Sequence, residues 1–171
     1  SARRYTLCPY PTPSRSRPRQ RVGRMLELPL RLTTELDDEE REKRIIATLR
    51  QVGLLRDLAG YCPHMLAPGQ KQRLALARAL ILQPKVIIAD EALASLDMTM
   101  RSQQVNLMLE LQEKHGLTYI YVTQHLGMMK HISDQVLVMH QGEVVERGGT
   151  ADVLAAPLHD LTKRLITSNF G

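Results

Sequence analysis

Residues 66–97 read LAPGQKQRLALARALILQPKVIIADEALASLD, and this stretch decides the fold. An early glycine turn precedes an amphipathic run that predicts a helix over residues 71–82. Gln83-Pro84 ends that helix, because proline cannot continue it. Residues 86–89 are all apolar and predict a short strand buried on both faces, as in the middle of a parallel sheet. A helix followed by a buried strand indicates the α/β class.

Two acids, Asp90 and Glu91, directly follow the predicted strand. Ligands of parallel α/β sheets bind beyond the carboxyl ends of the strands, so both carboxylates would lie at a ligand site. Adjacent acids in this position suit a magnesium–nucleotide complex, with one carboxylate holding the ion and the other orienting a water. A solvated acidic turn is the alternative, and these two residues alone do not separate the two interpretations.

Four motifs occur in an order that resembles the ATP-binding cassette (ABC) ATPase family. Residues 66–70, 86–91, 94–97 and 122–125 are similar to its signature loop, Walker B strand, D-loop and switch-histidine strand. Within the family, the sequence is most similar to bacterial oligopeptide and dipeptide importers. The resemblance runs from about residue 21 to the C-terminus. It omits the first twenty residues.

The resemblance implies catalytic and metal-binding roles for three residues. Asp90 would hold Mg²⁺ through water, Glu91 would polarise the attacking water, and His125 would contact the γ-phosphate of ATP. A lone histidine is more often structural, but His125 comes just past a predicted strand end, as the two acids do, which favours a functional role.

The turn that would contact the nucleotide consists of Ala67, Pro68, Gly69 and Gln70, and it would close over ATP bound in a second ATP-binding subunit. The family sequence is Leu-Ser-Gly-Gly-Gln, so Ala67 replaces the serine and Pro68 the first of its two glycines. An alanine methyl group cannot donate the serine hydrogen bond to the γ-phosphate, a loss of roughly 1.5–3 kcal/mol. The amides that open the following helix, including that of Gly69, can still face a phosphate. By the same resemblance, Asp97 would couple the two cassettes.

The resemblance also implies a partial P-loop NTPase domain, with a parallel sheet, flanking helices and a helical subdomain. We expect a disordered leader rich in arginine and proline at 1–20, the helical subdomain and signature helix at 21–82, and the C-terminal part of the ATPase core at 83–171. An apolar segment after the leader is broken by Pro29. Periodicity and turn residues predict the remaining elements. They are a helix from Asp37 or Asp38 to Val52, a helix over 97–114, a buried strand over 118–122 and a hairpin over 135–147.

The sequence contains no G-x-x-x-x-G-K-[ST] motif, the loop that cradles the β- and γ-phosphates in this fold class. The chain therefore looks like the part of an ABC ATPase that follows the phosphate loop, either as a fragment or as a truncated product. ATP and Mg²⁺ would be cofactors of the complete protein. We expect the chain alone to be inactive, so its status as an enzyme is left open.

Composition narrows the function classes. No apolar run approaches the ~18 residues of a membrane span, and the two cysteines form no metal or disulfide framework. Residues 1–24 carry seven arginines and no acid, whereas the rest holds sixteen basic against eighteen acidic residues, so the body is nearly neutral. A basic patch that could bind nucleic acid is therefore confined to the arginine-rich arm formed by residues 1–24.

The leading hypothesis is the ATP-hydrolysing subunit of a bacterial peptide importer. Its partners would be permease subunits and a second ATP-binding subunit, with peptide involved only indirectly and no nucleic acid. It would lie in the cytoplasm against the inner face of the cell membrane, held there by those subunits. A non-enzymatic module that binds transporter partners is the first alternative. A nucleic-acid binder that uses the arginine-rich arm is the second.

Overall fold

The computed structural model describes residues 5–9, 20–93 and 96–170, with the backbone alone described for residues 5–9, 128 and 170. The strands of this part of the chain are β1 (Tyr5–Pro9), β2 (Val86–Asp90), β3 (Thr118–Val122), β4 (Gln135–His140) and β5 (Glu143–Gly149). Its α-helices are α1 (Val22–Thr33), α2 (Asp38–Gln51), α3 (Pro68–Leu80), α4 (Met98–His115), α5 (Leu126–Ile132), α6 (Thr150–Ala155) and α7 (Asp160–Phe170). Short 3₁₀ helices cover Arg56–Gly60 and Pro63–Met65. None of the described helices combines the length and the apolar character needed to cross a bilayer.

Strands β1, β2 and β3 form a parallel sheet with β2 in the middle. Ile87 and Ala89 of β2 are buried in a core shared with α3, while the other face of the strand is only partly covered. The register places Asp90, the last residue of β2, opposite Val122, the last residue of β3. The parallel sheet with its helices confirms the predicted α/β class, and it brings the carboxyl ends of β2 and β3 to one edge.

Strand β3 has the predicted bounds but not the predicted burial. Ile120 and Val122 are 48% and 49% exposed, whereas Tyr119 and Tyr121 pack against the core. The two tyrosine rings stack with their centroids 5.6 Å apart. The expectation of a buried strand is therefore wrong for β3, and for β2 it holds on one face only, since Val86 and Ile88 are half-buried. Among the described residues β3 pairs with β2 alone, so it forms an edge of the sheet.

Residues 5–9 form β1, although the composition of the first twenty residues predicts a disordered leader. Pairing with β2 satisfies the backbone groups of this segment, and composition does not record such a tertiary effect. The prediction of disorder is therefore wrong for residues 5–9. Residues 1–4 and 10–19 lie outside the described part of the chain, so there the leader and its nucleic-acid role stay predictions. The segments proposed for residues 21–82 and 83–171 stay predictions too.

Helix α1 is continuous through Pro29, where the sequence predicts a break. Val22, Leu26 and Leu30 recur at four-residue spacing, and none of them is more than 1% exposed. Proline removes one intrahelical hydrogen bond, and the burial of this apolar stripe against α2, α3 and the Arg56–Gly60 turn offsets the loss.

Helix α2 begins at the N-cap Asp37, one of the two predicted caps. The Glu40 amide donates to Asp37 Oδ1 at 2.8 Å, and the Asp37 amide donates to Glu40 Oε2 at 3.0 Å, which completes a capping box. Beyond its end, Gly53 adopts a φ of +68°. The Arg73 guanidinium of α3 donates to the carbonyl oxygens of Val52 and Gly53, both at 3.3 Å. A side chain at position 53 would overlap that guanidinium, so the end of α2 is closely tied to α3.

The described residues divide into two compact units between Val122 and Thr123. In the second unit β4 and β5 form the predicted antiparallel hairpin, and α5 packs against α6 and α7. Glu146 of β5 accepts hydrogen bonds from the amides of Leu158 at 2.8 Å and His159 at 3.0 Å. The Leu158 amide is the main cause that holds the pKa of the Glu146 carboxyl below its ordinary value. These bonds join the hairpin to the segment that leads into α7.

Candidate functional site

The end of β2 carries the two acids that the sequence singles out. Asp90 is its last residue and is exposed, and Glu91 follows in partly covered surroundings. Glu91 adopts a left-handed backbone with a φ of 45°, and its amide donates to the Val122 carbonyl oxygen at 2.8 Å. This bond closes the chain onto the end of β3. Both acids therefore lie at the carboxyl edge of the parallel sheet, where α/β proteins bind ligands.

The signature-like turn opens α3. Ala67 is the N-cap residue with extended backbone angles, and Pro68 is the first helical residue. The Ala67 amide donates to Gln70 Oε1 at 2.9 Å, which is one half of a capping box. The other half is missing, because alanine has no side-chain acceptor. The first intrahelical bond runs from Lys71 to Ala67, so the amides of Gly69 and Gln70 precede it and face outward from the helix start.

Gly69 makes a close contact with the start of α4. A Cβ atom at position 69 would overlap the terminal methyl group of Met100. Asp97 is the N-cap of α4, and its Oδ1 accepts a hydrogen bond from the Met100 amide at 2.9 Å. The structure thus brings the predicted signature turn and the predicted D-loop aspartate together through Met100. The two residues before Leu96 lie outside the described ranges.

His125 belongs to the second unit and is described there by itself. It is exposed and is the N-cap of α5, and its amide donates to Thr123 Oγ1 at 3.1 Å. The side-chain carboxamide of Asn169, in α7, forms hydrogen bonds with the peptide groups on both sides of His125. Asn169 Oδ1 accepts from the Leu126 amide at 3.2 Å, and its Nδ2 donates to the Gln124 carbonyl oxygen at 3.3 Å.

Sequence reasoning missed Met100 and Asn169. The position of Met100 in the first turn after Asp97 was a signal that it lies near the site, but an apolar residue in that position usually indicates ordinary packing. Asn169 carries no signal, because it lies 43 and 45 residues beyond its partners Leu126 and Gln124 and no motif includes it.

The described residues contain no group of three or more histidine, cysteine, aspartate or glutamate side chains that could hold a metal. Magnesium does not require such a group, because it keeps several waters and takes only one or two protein carboxylates. Asp90 offers one exposed carboxylate at the end of β2, and Glu91 is the next residue in the chain. The residues present at the strand end therefore fit Mg²⁺.

A family model described as ABC transporter matches residues 9–94, which is half of the chain. The chain belongs to the ABC transporter family. The match begins within the first twenty residues, so the family likeness reaches further toward the N-terminus than the motifs predict. It includes the signature turn and the two acids at the end of β2. The predicted family is confirmed.

Several ABC transporter proteins are similar over most of the chain. The "Putrescine export system ATP-binding protein SapF" of Escherichia coli strain K12 is 77% identical over 154 residues, which is 90% of this chain and 58% of that protein. The "Peptide transport system ATP-binding protein SapF" of Shigella flexneri has the same identity and coverage. The "Dipeptide transport ATP-binding protein DppF" of Haemophilus influenzae is 39% identical over 88% of this chain and 46% of its own length. This chain thus spans less than two thirds of the curated relatives it matches.

A solved structure confirms the ABC transporter fold. The chain is similar to cbiO1 from Clostridium perfringens, described as part of the ABC transporter complex cbiONQ, with a TM-score of 0.74 and 28% sequence identity. That likeness covers 88% of this chain and 58% of cbiO1. The predicted likeness to ATP-binding subunits of oligopeptide and dipeptide transporters is confirmed by the relatives above.

Proposed function

We propose that this chain is part of the ATP-hydrolysing subunit of a bacterial ABC transporter that imports peptides. The names of the Shigella flexneri and Haemophilus influenzae relatives support this substrate class. The partners are transmembrane permease subunits and a second ATP-binding subunit. The protein works in the cytoplasm at the inner face of the cell membrane, where the permease subunits hold it.

The observation that carries the proposal is the position of Asp90 and Glu91 at the carboxyl end of β2, fixed by the bond from the Glu91 amide to Val122. Glu91 accepts a hydrogen bond from the attacking water and orients it toward the γ-phosphate of ATP. Its left-handed backbone turns the chain immediately after the strand, so Glu91 and Asp90 serve different partners. His125 donates a hydrogen bond to the γ-phosphate as negative charge develops there.

Asp90 is the residue that would hold Mg²⁺, through coordinated water. When bound, the ion supplies positive charge that offsets the charge of the triphosphate. The chain's own contribution is one exposed carboxylate at the end of a strand that is anchored in the core.

The turn at 67–70 serves the nucleotide held by the second ATP-binding subunit. The outward amides of Gly69 and Gln70 and the positive end of α3 attract phosphate oxygens. Ala67 offers no hydroxyl for the same oxygens, so this contact is weaker than it would be with serine at position 67. Asp97 couples the two subunits from the adjacent start of α4.

The first experiment tests the division of labour between the two acids. In a full-length cassette carrying this chain, reconstituted with its permease, Glu91→Gln should retain ATP binding and lose turnover by at least about a hundredfold, because the amide keeps the shape but not the proton acceptor. Asp90→Asn should weaken Mg²⁺-dependent nucleotide binding instead. The measurements are steady-state phosphate release and nucleotide affinity with and without Mg²⁺.

Glu113→Gln is the matched control, because Glu113 is an exposed acid in the last turn of α4. It should leave both rate and affinity unchanged. Near-normal turnover in Glu91→Gln would show that the catalytic carboxylate has been misplaced and would overturn the proposal.

Putrescine export is a second candidate transport activity, because the Escherichia coli K12 relative carries that name at the same identity as the Shigella flexneri protein. Proteoliposomes that contain the complete transporter separate the two. Peptide import predicts uptake of labelled peptide, with its binding protein, that depends on ATP on the cytoplasmic side. Putrescine export predicts ATP-dependent movement of labelled putrescine in the opposite direction. The Glu91→Gln variant should stop whichever movement is genuine.

A further inference from the structure

The loop that carries His125 is bridged by a single side chain from another helix. Asn169 Oδ1 accepts a hydrogen bond from the Leu126 amide at 3.2 Å, and Asn169 Nδ2 donates to the Gln124 carbonyl oxygen at 3.3 Å. These two peptide groups flank His125 directly. One planar carboxamide therefore connects the chain before the histidine to the chain after it.

Asn169 is itself held in place. Its Nδ2 also donates to the Leu165 carbonyl oxygen one turn earlier in α7, at 2.9 Å. Helix α7 packs against α5, and Leu126 and Met129 of α5 are buried, at 7% and 6% exposed. The carboxamide thus extends from a packed helix, and a hydrogen bond to that helix restrains its orientation.

The chemistry of the bridge requires an amide side chain. The Leu126 amide needs an acceptor and the Gln124 carbonyl needs a donor, and a carboxamide supplies both from one rigid plane. A carboxylate of the same shape supplies only acceptors, so it would satisfy Leu126 and repel the Gln124 oxygen. A leucine of similar volume supplies neither bond.

We propose that Asn169 is a positioning residue for His125. By bonding the peptide groups on either side of the histidine, it restricts the backbone angles of residue 125 and fixes where the imidazole is presented. His125 then meets the γ-phosphate without first ordering its loop, which lowers the barrier to hydrolysis. This inference rests on the proposed role of His125 in ATP hydrolysis.

The test compares Asn169→Leu and Asn169→Asp in the reconstituted full-length cassette. We expect kcat to fall about tenfold or more in Asn169→Leu and less in Asn169→Asp, since one bond survives there. The KM for ATP should change less than about twofold, because nucleotide is held mainly by other groups. Thr167→Ala is the matched control. It removes a hydroxyl bonded only to the Lys163 carbonyl on the same helix and should leave kcat unchanged.

Two further measurements separate positioning from folding. The Leu126 amide should exchange its hydrogen faster in Asn169→Leu, which loses the acceptor, than in Asn169→Asp, which keeps it, while the β4–β5 ladder amides keep their protection in both variants. In a His125→Ala background, Asn169→Leu should have no further effect on kcat, because the residue acts only through the histidine.

The outcomes distinguish the two proposals. If His125→Ala alone leaves kcat unchanged, the proposed role of His125 fails, and this inference fails with it. If His125→Ala lowers kcat but Asn169→Leu does not, or if the two effects multiply fully, the proposed function stands and the positioning role is refuted.

Discussion

Glu91 is the residue where backbone strain and proposed chemistry coincide. Its φ of 45° lies in the left-handed region, which costs a residue with a side chain roughly 1–2 kcal/mol. The bond from its amide to the Val122 carbonyl oxygen holds this conformation at the sheet edge. Strain that surrounding structure maintains in this way is concentrated at functional sites.

The strained backbone of residue 91 predicts that two substitutions there differ in stability although both remove activity. The free energy of unfolding of the Glu91→Gly variant should be about 1 kcal/mol larger than that of the Glu91→Ala variant, because only glycine adopts the left-handed backbone without strain. Both variants should lose ATP turnover in the full-length cassette. Urea unfolding of the chain supplies the first comparison and phosphate release the second. Equal stability of the glycine and alanine variants would mean that residue 91 is not strained.

The sequence predicts which acids occupy this edge but not how they are held. Asp90 and Glu91 are recognisable because an apolar strand ends immediately before them, and strand ends bind ligands in this fold class. The left-handed angle of Glu91 leaves no mark in the sequence, since the residue is neither glycine nor asparagine. The sequence does not indicate the role of Asn169 either, because that role depends on contacts with residues more than forty positions earlier in the chain.

At the scale of elements, helix α3 begins with an unusually weak cap. The Ala67 side chain accepts nothing from the first turn, and of the capping box only the bond between the Ala67 amide and Gln70 is formed. Serine, threonine, aspartate or asparagine at an N-cap usually stabilises a helix by about 1 kcal/mol relative to alanine. The helix is instead held by its buried side chains and by the Arg73 contacts to the end of α2.

Ala67→Ser should therefore raise the free energy of unfolding by about 1 kcal/mol, because the new hydroxyl can accept from the amide three residues on. In the complete transporter it should also tighten the nucleotide-bound pair of cassettes, by restoring a charge-assisted hydrogen bond. Thermal unfolding and the ATP concentration for half-maximal dimerisation measure the two effects. Ala47→Ser, the same change inside α2, is the control and should be slightly destabilising.

Element positions were mostly predictable where a local signal exists. Asp37 caps α2 as its position before an acidic turn suggests, and β3 has the predicted bounds. Pro29 misleads because proline reports only its local backbone preference, whereas the buried stripe of α1 decides the outcome. The exposure of Ile120 in β3 was not predictable, since an apolar strand sequence does not say which strands lie beside it.

At the scale of the whole molecule, a tyrosine buried on the parallel sheet contributes to the response to alkaline pH. Burial of Tyr121 on β3 raises the pKa of its phenol above the ordinary value of about 10. The unfolded chain therefore releases this proton at lower pH than the folded chain does. The stability that Tyr121 contributes is present below pH ~10 and is lost as pH rises toward the folded pKa.

Stability should accordingly fall as pH increases above about 10, and Tyr121→Phe should make that decline shallower. Urea titrations at a series of alkaline pH values give the slope, and ultraviolet difference spectra report the ionisation of the phenol. A decline of the same steepness in both proteins would exclude Tyr121 as its cause.

The α/β class was predictable from one continuous stretch, because residues 66–97 contain a helix, a central strand and its acidic end in order. The family was predictable from the motifs of that stretch together with residues 122–125. Strand β1 was not, since the composition of its surroundings indicates disorder while its backbone pairs with β2. The division between Val122 and Thr123 leaves no trace in composition either.

The contact between Gly69 and Met100 has a consequence for how this sequence can evolve. Any residue larger than glycine at position 69 must displace the methyl group of Met100. The effect of a substitution at one of these positions therefore depends on the residue at the other. The methyl group ends a flexible side chain that can move aside, so Gly69→Ala should cost little beside Met100 and still less when Met100→Ala removes the methyl group, a weakly non-additive pair. Two motifs that are usually treated as separate signatures are in contact in this chain, so a substitution in one is felt in the other.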